Sequence, residues 1–263
     1  MNLRMFGGFV AAGLATTTVT FGQNLLDSNP LRPTYNNPSF ESPDVAAVGL
    51  GAAKWTADGP TIDPGLGFPI LAGCGVFENV PDDPDTPGSD GHLENIDGTQ
   101  AAYLFARSFP DFSTGQVKDH SFTQVTQILA QAGAQYQLSV GVANAGAAPP
   151  PESTLTISFF ALDGSTEIPL ASTAIKNDGV TSPGLNGLAF FDFFATSGPI
   201  AGAAVGKPIG IRLQTHTTPQ NPSITGQFDL DDVQLTIVPE PAGLALLAGA
   251  AGVLGSRCGR RRR

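Results

Sequence analysis

The chain has 263 residues, of which 41% are hydrophobic and only 14% are charged, and it includes 17 Phe, 32 Gly and 22 Pro. This length permits one globular domain, and the apolar content is enough for a core, which argues against a wholly disordered chain. The formal charge of −10 argues against a nucleic-acid-binding protein, because a phosphate backbone needs a basic surface that releases its counterions.

Residues 1–22 predict a secretory signal peptide. Arg4 precedes the apolar run Met5–Leu14, and the small residues Thr20 and Gly22 occupy the −3 and −1 positions of a cleavage site before Gln23. A buried N-terminal helix is the alternative, but no polar face at helical spacing divides the run. The signal peptide predicts an exported protein.

An acidic segment covers residues 80–98. This segment is rich in Pro and Gly and contains neither Lys nor Arg, which predicts a long loop between strands. Its six acids are Asp82, Asp83, Asp85, Asp90, Glu94 and Asp97. Clustered carboxylates suit calcium, but the spacing lacks the pattern of an EF-hand, so a solvated loop is the competing interpretation.

Most of the remaining chain reads as β-strands. Tyr136, Leu138, Val140 and Val142 alternate with polar or small residues, a period of two that predicts a strand with one buried face. Similar runs follow at Leu155–Phe159, Ile168–Ile175, Leu188–Ala195, Ile209–Leu213 and Phe228–Ile237. Turns rich in Pro, Gly, Asn and Asp separate them, so we predict an all-β fold: an antiparallel β-sandwich over residues 23–238, flanked by short helices in the two terminal signals.

The last of these runs changes phase in its middle. Phe228 and Leu230 share one phase of the alternation, whereas the apolar residues of Val233–Ile237 share the other. This slip predicts a β-bulge at Asp231–Asp232 that turns carboxylates toward a strand edge. Solvated acids and a metal site are equally compatible with it.

Catalytic motifs are scarce. The histidines His92, His120 and His216 are far apart, and the sequence contains no Gly-x-Ser-x-Gly elbow and no glycine-rich phosphate loop. Asp119 precedes His120, but adjacency in sequence is poor evidence for a catalytic triad. We therefore predict a non-catalytic protein.

The C-terminal segment has three parts. Val238-Pro239-Glu240-Pro241 precedes fourteen uncharged residues, Ala242–Gly255, which are followed by a basic cluster of Arg257, Arg260, Arg261, Arg262 and Arg263. Fourteen helical residues span about 21 Å, less than the ~30 Å hydrocarbon core of a bilayer. The arginines would stay cytoplasmic, so we predict that this segment contacts the membrane only transiently.

This three-part pattern, over residues 239–263, resembles the PEP-CTERM sorting signal of Gram-negative bacteria that make extracellular polysaccharide. The resemblance implies that an exosortase, a membrane cysteine protease, is the processing enzyme and removes the tail. The protein would then reach the cell surface or the extracellular matrix.

A second resemblance covers the body. Asn37–Glu41, Trp55, Gly133–Leu138 and Asp231–Leu235 are similar to jelly-roll carbohydrate-binding modules of the galactose-binding-like type. It implies that Glu41, with Asp231 or Asp232, holds a structural calcium ion.

Sugar binding needs exposed aromatic side chains that stack on the sugar rings. The candidates are Tyr35, Trp55 and Tyr103, and a core position is the competing interpretation of Trp55. We therefore predict an exported, non-catalytic protein of the cell surface or polysaccharide matrix. A carbohydrate-binding module that acts on exopolysaccharide is the alternative, and burial of the three rings would favour the first function.

Overall fold

The structure is a computed structural model, and it describes residues 24–26, 40, 48–49, 54–62, 70–71, 73–79, 93–94, 96–106, 109–144, 153–176, 189–217 and 226–239. The predicted signal peptide, Tyr35, Glu41, the tail from Glu240 and most of the acidic loop lie outside these residues. The two predicted terminal helices lie outside them as well.

The described part of the chain is almost entirely β-structure, with one short 3₁₀ turn at Gly202–Ala204. Its strands are β1 Val48–Gly49, β2 Thr56–Asp58, β3 Thr61–Ile62, β4 Ile70–Leu71, β5 Cys74–Glu78, β6 Gln100–Phe105, β7 Phe109–Pro110, β8 Val117–Lys118, β9 Ser121–Leu129, β10 Gln135–Ala143, β11 Ser153–Asp163, β12 Thr166–Lys176, β13 Phe191–Thr196, β14 Pro208–Thr217 and β15 Gln227–Val238. The prediction of an all-β fold is confirmed. Within these described ranges, no helix has the length and apolarity needed to cross a membrane.

Two antiparallel sheets form a jelly-roll sandwich, as predicted. The six-stranded sheet has the order β1-β5-β6-β15-β10-β13, and the five-stranded sheet has the order β12-β11-β14-β9-β2. Two small hairpins, β3-β4 and β7-β8, stand apart from them. Strand β15 lies between β6 and β10 and pairs with both of them, so Asp229 faces Tyr103 across one pair and Asp231 faces Gly141 across the other.

The main core fills the space between the sheets. On β10 the four residues of the predicted apolar phase, from Tyr136 to Val142, are fully buried. Phe40 stacks on Trp55 with ring centroids 5.2 Å apart, and Phe122 packs against both rings. Cys74 is also in this core as a free thiol, and burial raises its pKa to about 12.

The predicted bulge in β15 is present. Ser139 pairs with Gln234 and Gly141 pairs with Asp231, so one residue of β10 faces two residues of β15 between these pairs. Asp232 takes the left-handed conformation, with φ of 44°. Because of the bulge, the apolar residues on both sides of it reach the same core.

Candidate functional site

The outer face of the six-stranded sheet, away from the main core, carries buried carboxyl groups. Leu230 points into the core, so its neighbours Asp229 and Asp231 point to the opposite face. Asp229 lies opposite Tyr103 on β6, and Asp231 lies opposite Gly141 on β10. We call this surface the site face and define it by its outward residues: Phe77, Ala101, Tyr103, Gly141, Ala143, Asp229 and Asp231.

A segment of the acidic loop covers part of the site face. We call residues 93–98 the strap; the structure describes all of them except residue 95. Leu93 is fully buried and forms a small apolar cluster with Ala101 and Ala143, separate from the main core. Ile96 of the strap packs against the same cluster, as do Phe77 and Phe190.

Hydrogen bonds hold the strap in place on two sides. The Asn79 side chain donates a hydrogen bond to the Leu93 carbonyl (3.0 Å) and accepts one from the Leu93 N–H (2.8 Å). On the other side, Glu94 forms a parallel bridge with Ala189, and its carbonyl accepts a 3.4 Å hydrogen bond from the Phe190 N–H. The site face therefore has an ordered cover built from two loops.

Asp231 is the most perturbed acid on this face. Asp231 is 1% exposed, and its Oδ2 accepts a 2.6 Å hydrogen bond from the backbone N–H of Asp97. Oδ1 is buried and has no hydrogen-bond partner among the described residues. Burial is the main cause that raises the pKa of Asp231 to about 8, against the lowering effect of hydrogen bonds from the backbone of Asp97 and Asp232. At neutral pH this carboxyl group is therefore mostly protonated, and its proton can be donated.

Two other acids lie near Asp231. Asp229 is fully buried and accepts a 2.7 Å hydrogen bond from the Gln227 amide. Both carboxylate oxygens of Asp232 accept hydrogen bonds from the Gln234 amide. Burial raises the pKa of Asp232, and the Gln234 hydrogen bond opposes this shift.

Aromatic rings border the carboxyl groups. Tyr103 is half-buried, with its ring centroid 6.2 Å from that of Phe77 and 5.8 Å from that of Phe105. Burial raises the pKa of Tyr103, so its phenol keeps its proton at neutral pH. The ring of Phe190 lies over Gly141, where an added Cβ would come 3.4 Å from it. The face thus combines flat apolar surfaces with an acid that can give up a proton.

The residues predicted from the sequence are found in different places. Asp231 and Tyr103 lie on the site face, and Asp232 lies at the bulge beside it. Trp55 is only 6% exposed and packs in the main core, which leaves no free ring face for a ligand.

The predicted calcium site is only partly covered by the described residues. Glu41 lies outside them, and within them no group of three or more His, Cys, Asp or Glu side chains could hold a metal ion. Calcium at Glu41, Asp231 and Asp232 stays a prediction.

Sequence reasoning missed Asp229, Phe77 and Phe190, and it predicted the acidic loop without the packing of the strap on the sheet. A signal for Asp229 exists, because it shares the phase of Asp231 in the segment Phe228-Asp229-Leu230-Asp231, which places two acids on one side of a strand. No comparable signal links the strap to β15, because the two segments are far apart in the chain.

Comparison with known proteins gives one family. The family described as HpiC1-like, HpiC1 cyclase, matches residues 32–236. No curated protein matches the chain significantly.

Two solved structures have a similar fold. A cyclase from Fischerella sp. TAU in complex with 4-(1H-indol-3-yl)butan-2-one is 18% identical, with a TM-score of 0.52, and the match covers 77% of this chain and 95% of that one. The Stig cyclase Fisc from Fischerella sp. TAU, in complex with (3Z)-3-(1-methyl-2-pyrrolidinylidene)-3H-indole, is 19% identical, with a TM-score of 0.51 and the same coverage of both chains.

The family match overturns two predictions. The chain was expected to be non-catalytic, with a matrix role or, as the alternative, carbohydrate binding; the matching family is one of cyclases, which are enzymes. The prediction failed because the sequence contains no recognisable catalytic motif.

Proposed function

The chain belongs to the HpiC1-like cyclase family, and on that premise we propose that it closes a ring in an aromatic, indole-like substrate by proton transfer on the site face. The observation that carries this proposal is the protonated, buried Asp231, whose Oδ1 is unpartnered among the described residues and which lies beside aromatic rings. The two similar cyclases from Fischerella were solved with indole compounds, which are flat and largely apolar. Such molecules match the surface offered by Phe77, Tyr103 and Phe190.

Asp231 would act as the proton donor. Its Oδ1–H gives a proton to an unsaturated carbon or nitrogen of the substrate, which leaves a cation in the substrate and a carboxylate on Asp231. A π bond of the same molecule attacks the cation and closes the ring. Loss of a proton from the ring-closed cation to the Asp231 carboxylate restores the acid. The product is an isomer of the substrate, since no atom is gained or lost.

The surroundings favour a cationic intermediate. Faces of aromatic rings attract positive charge through their quadrupole; Tyr103 lies opposite Asp229, and the Phe77 ring is 6.2 Å from the Tyr103 ring. The carboxylate formed on Asp231 adds an opposite charge in a buried setting, where electrostatic interactions are stronger than in water. Once the substrate is protonated, the site therefore stabilises the charge that develops.

The test uses a panel of 3-substituted indoles that carry a pendant alkene, with liquid chromatography and mass spectrometry to detect products of unchanged mass and new retention time. We expect ring-closed isomers from the wild-type protein and an activity loss of about 10²–10⁴-fold in Asp231→Asn. Asp163→Asn is the matched control, since that acid is exposed and pairs with Lys207. Absence of any isomer with the wild type, or full activity of Asp231→Asn, would contradict the proposal.

The same assay addresses the predicted calcium ion. Activity that a chelator removes and added calcium restores would support the predicted calcium site of Glu41 with Asp231 or Asp232. Calcium bound to Asp231 itself would contradict its role as the proton donor, because a calcium ligand is a deprotonated carboxylate. Activity that is unchanged by the chelator would argue that these carboxyl groups act without a metal.

We propose in addition that the enzyme is exported and that an exosortase removes its tail. The support is the sequence alone: a signal peptide over residues 1–22 and the PEP-CTERM pattern over residues 239–263. The intact mass of the protein purified from the native cell envelope tests this. A mature form that begins at Gln23 and lacks the terminal arginines is expected, and a full-length mass would contradict it.

A further inference from the structure

We propose that Asn79 is a positioning residue of the enzyme: it holds the strap closed across the site face, and the strap in turn holds the carboxyl group of Asp231 through the backbone of Asp97. This inference rests on the proposed function insofar as it concerns turnover. Its structural part, the coupling of Asn79 to the strap, can be tested without a substrate.

Asn79 contacts the first residue of the strap and the residue that follows the strap. Its side-chain amide exchanges two hydrogen bonds with the backbone of Leu93, donating one of 3.0 Å and accepting one of 2.8 Å. This is the pattern that a residue of a neighbouring antiparallel strand would make with its own backbone. The Asn79 N–H also donates a 2.8 Å hydrogen bond to the carbonyl of Thr99, directly after the strap. One residue at the end of β5 therefore closes a loop of six residues.

Packing of Leu93 against the sheet also holds the strap in place. Leu93 is fully buried against Ala101 and Ala143, whose short side chains leave room for it on the sheet. Loss of the amide would leave the buried N–H and carbonyl of Leu93 without these partners, and such unsatisfied groups are costly. The strap would therefore have to shift away from the sheet to reach water.

The position of the strap determines how the carboxyl group of Asp231 is oriented. The Asp97 N–H donates to Oδ2 of Asp231 at 2.6 Å, which fixes the carboxyl plane, whereas Oδ1 has no hydrogen-bond partner among the described residues. Glu94 connects the strap to Ala189 and Phe190, and the Phe190 ring lies over Gly141, opposite Asp231 in the sheet. A shift of the strap therefore moves both a hydrogen-bond donor to the acid and a ring beside it.

The experiment compares Asn79→Ala and Asn79→Asp with a matched control, Gln137→Ala, in the full-length chain. Asp has the shape of Asn and keeps the acceptor for the Leu93 N–H, but it lacks the donor. Gln137 carries an exposed amide on the same sheet that makes one side-chain hydrogen bond, to Thr196. We measure kcat and KM on the indole that the wild type converts, and hydrogen exchange of the peptide covering residues 93–100.

We expect kcat to fall by about 10- to 100-fold in Asn79→Ala, because misplacement of a reacting group by about 1 Å has effects of this size. KM should change less than kcat, since Phe77 and Tyr103 stay in place on the sheet and only Phe190 shifts with the strap. Asn79→Asp should fall between the wild type and Asn79→Ala, and Gln137→Ala should match the wild type. Exchange in residues 93–100 should rise in both Asn79 variants and stay unchanged in β11.

A general loss of folding would lower kcat and raise exchange throughout the chain, so exchange confined to the strap separates positioning from destabilisation. Unchanged exchange in residues 93–100, or faster exchange with normal kcat, would overturn the inference. If the wild type converts no indole, the proposed function fails, while the exchange data still decide whether Asn79 holds the strap. If Asn79→Ala does not fold, the isosteric Asn79→Asp carries the test.

Discussion

The backbone N–H of Asp97 donates a 2.6 Å hydrogen bond to Oδ2 of Asp231, a contact between residues 134 positions apart in the chain. It joins an acidic loop to the last strand on the face of the sheet that does not contain the main core. The carboxyl group is thereby oriented while it is removed from water, and burial raises its pKa to about 8. Three of the four predictions below depend on this acid and its immediate neighbours.

The stability of the protein should decrease as the pH rises from about 4 to about 8. In the unfolded chain an Asp releases its proton near pH 3.8, whereas folded Asp231 keeps its proton up to about pH 8. Within this window the folded state binds more protons than the unfolded state, so a rise in pH lowers the free energy of unfolding. Urea denaturation of Asp231→Asn at pH 5 and pH 8.5 should show a smaller pH dependence than the wild type. Equal pH dependence in the two proteins would contradict the assignment.

Turnover should depend on the protonated form of the same group. We expect kcat to be highest below pH 7 and to decrease as the pH passes through about 8, because the Asp231 carboxylate has no proton to donate. A profile of kcat against pH from 5 to 9.5, measured with folding monitored in parallel, checks this. If kcat instead increased toward pH 9, Asp231 would act as a general base and not as an acid.

Gly141→Ala should disturb the site and the sheet together. An added Cβ would lie 3.2 Å from the carbonyl oxygen of Asp231 and 3.4 Å from the ring of Phe190, so at least one of them must shift. Overpacking of this kind costs about 1–3 kcal/mol of stability, and we expect a lower kcat as well. Gly198→Ala is the control, since a Cβ at that position meets nothing within 4 Å. Equal unfolding midpoints for the two variants would contradict the prediction.

Replacement of Trp55 should mainly reduce stability, whereas replacement of Tyr103 should mainly reduce ligand binding. Trp55→Ala removes a core ring and should cost about 3–5 kcal/mol in the free energy of unfolding. Tyr103→Ala should change stability less. Under the proposed function it should also raise the Kd for an indole probe, 4-(1H-indol-3-yl)butan-2-one, by about 3- to 10-fold through loss of an aromatic contact. Calorimetric titration with that compound measures the second effect. Phe112→Ala, at a side chain that is 58% exposed on the β7-β8 hairpin, should alter neither quantity.

The fold of the second half could be predicted from local patterns. Strands β10, β11, β14 and β15 each show a period of two, because the sandwich buries one side of each strand. The bulge was predictable for the same reason, since the apolar phase must return to the core after the extra residue. Strands of two or three residues, such as β1 and β2, are too short to show any period, and β9 was also missed.

The site was less predictable, because the environment of its acids depends on the strap and on Phe190. An alternation of Phe228, Asp229, Leu230 and Asp231 normally places acids in water, where their pKa stays low. Here the strap and Phe190 exclude water from that side, and neither segment is near β15 in the chain. The predicted terminal signals, in contrast, depend only on contiguous residues, and they stay predictions.

Alkylation of the buried thiol of Cys74 can be used to measure global unfolding. With a pKa of about 12 and no exposed surface, it reacts with an alkylating reagent at neutral pH only in molecules that have unfolded, because the thiolate is the reactive form. In a preparation that ends before Cys258, the labelling rate therefore reports the unfolded population directly. Variants of the site face can then be ranked by stability from their labelling rates.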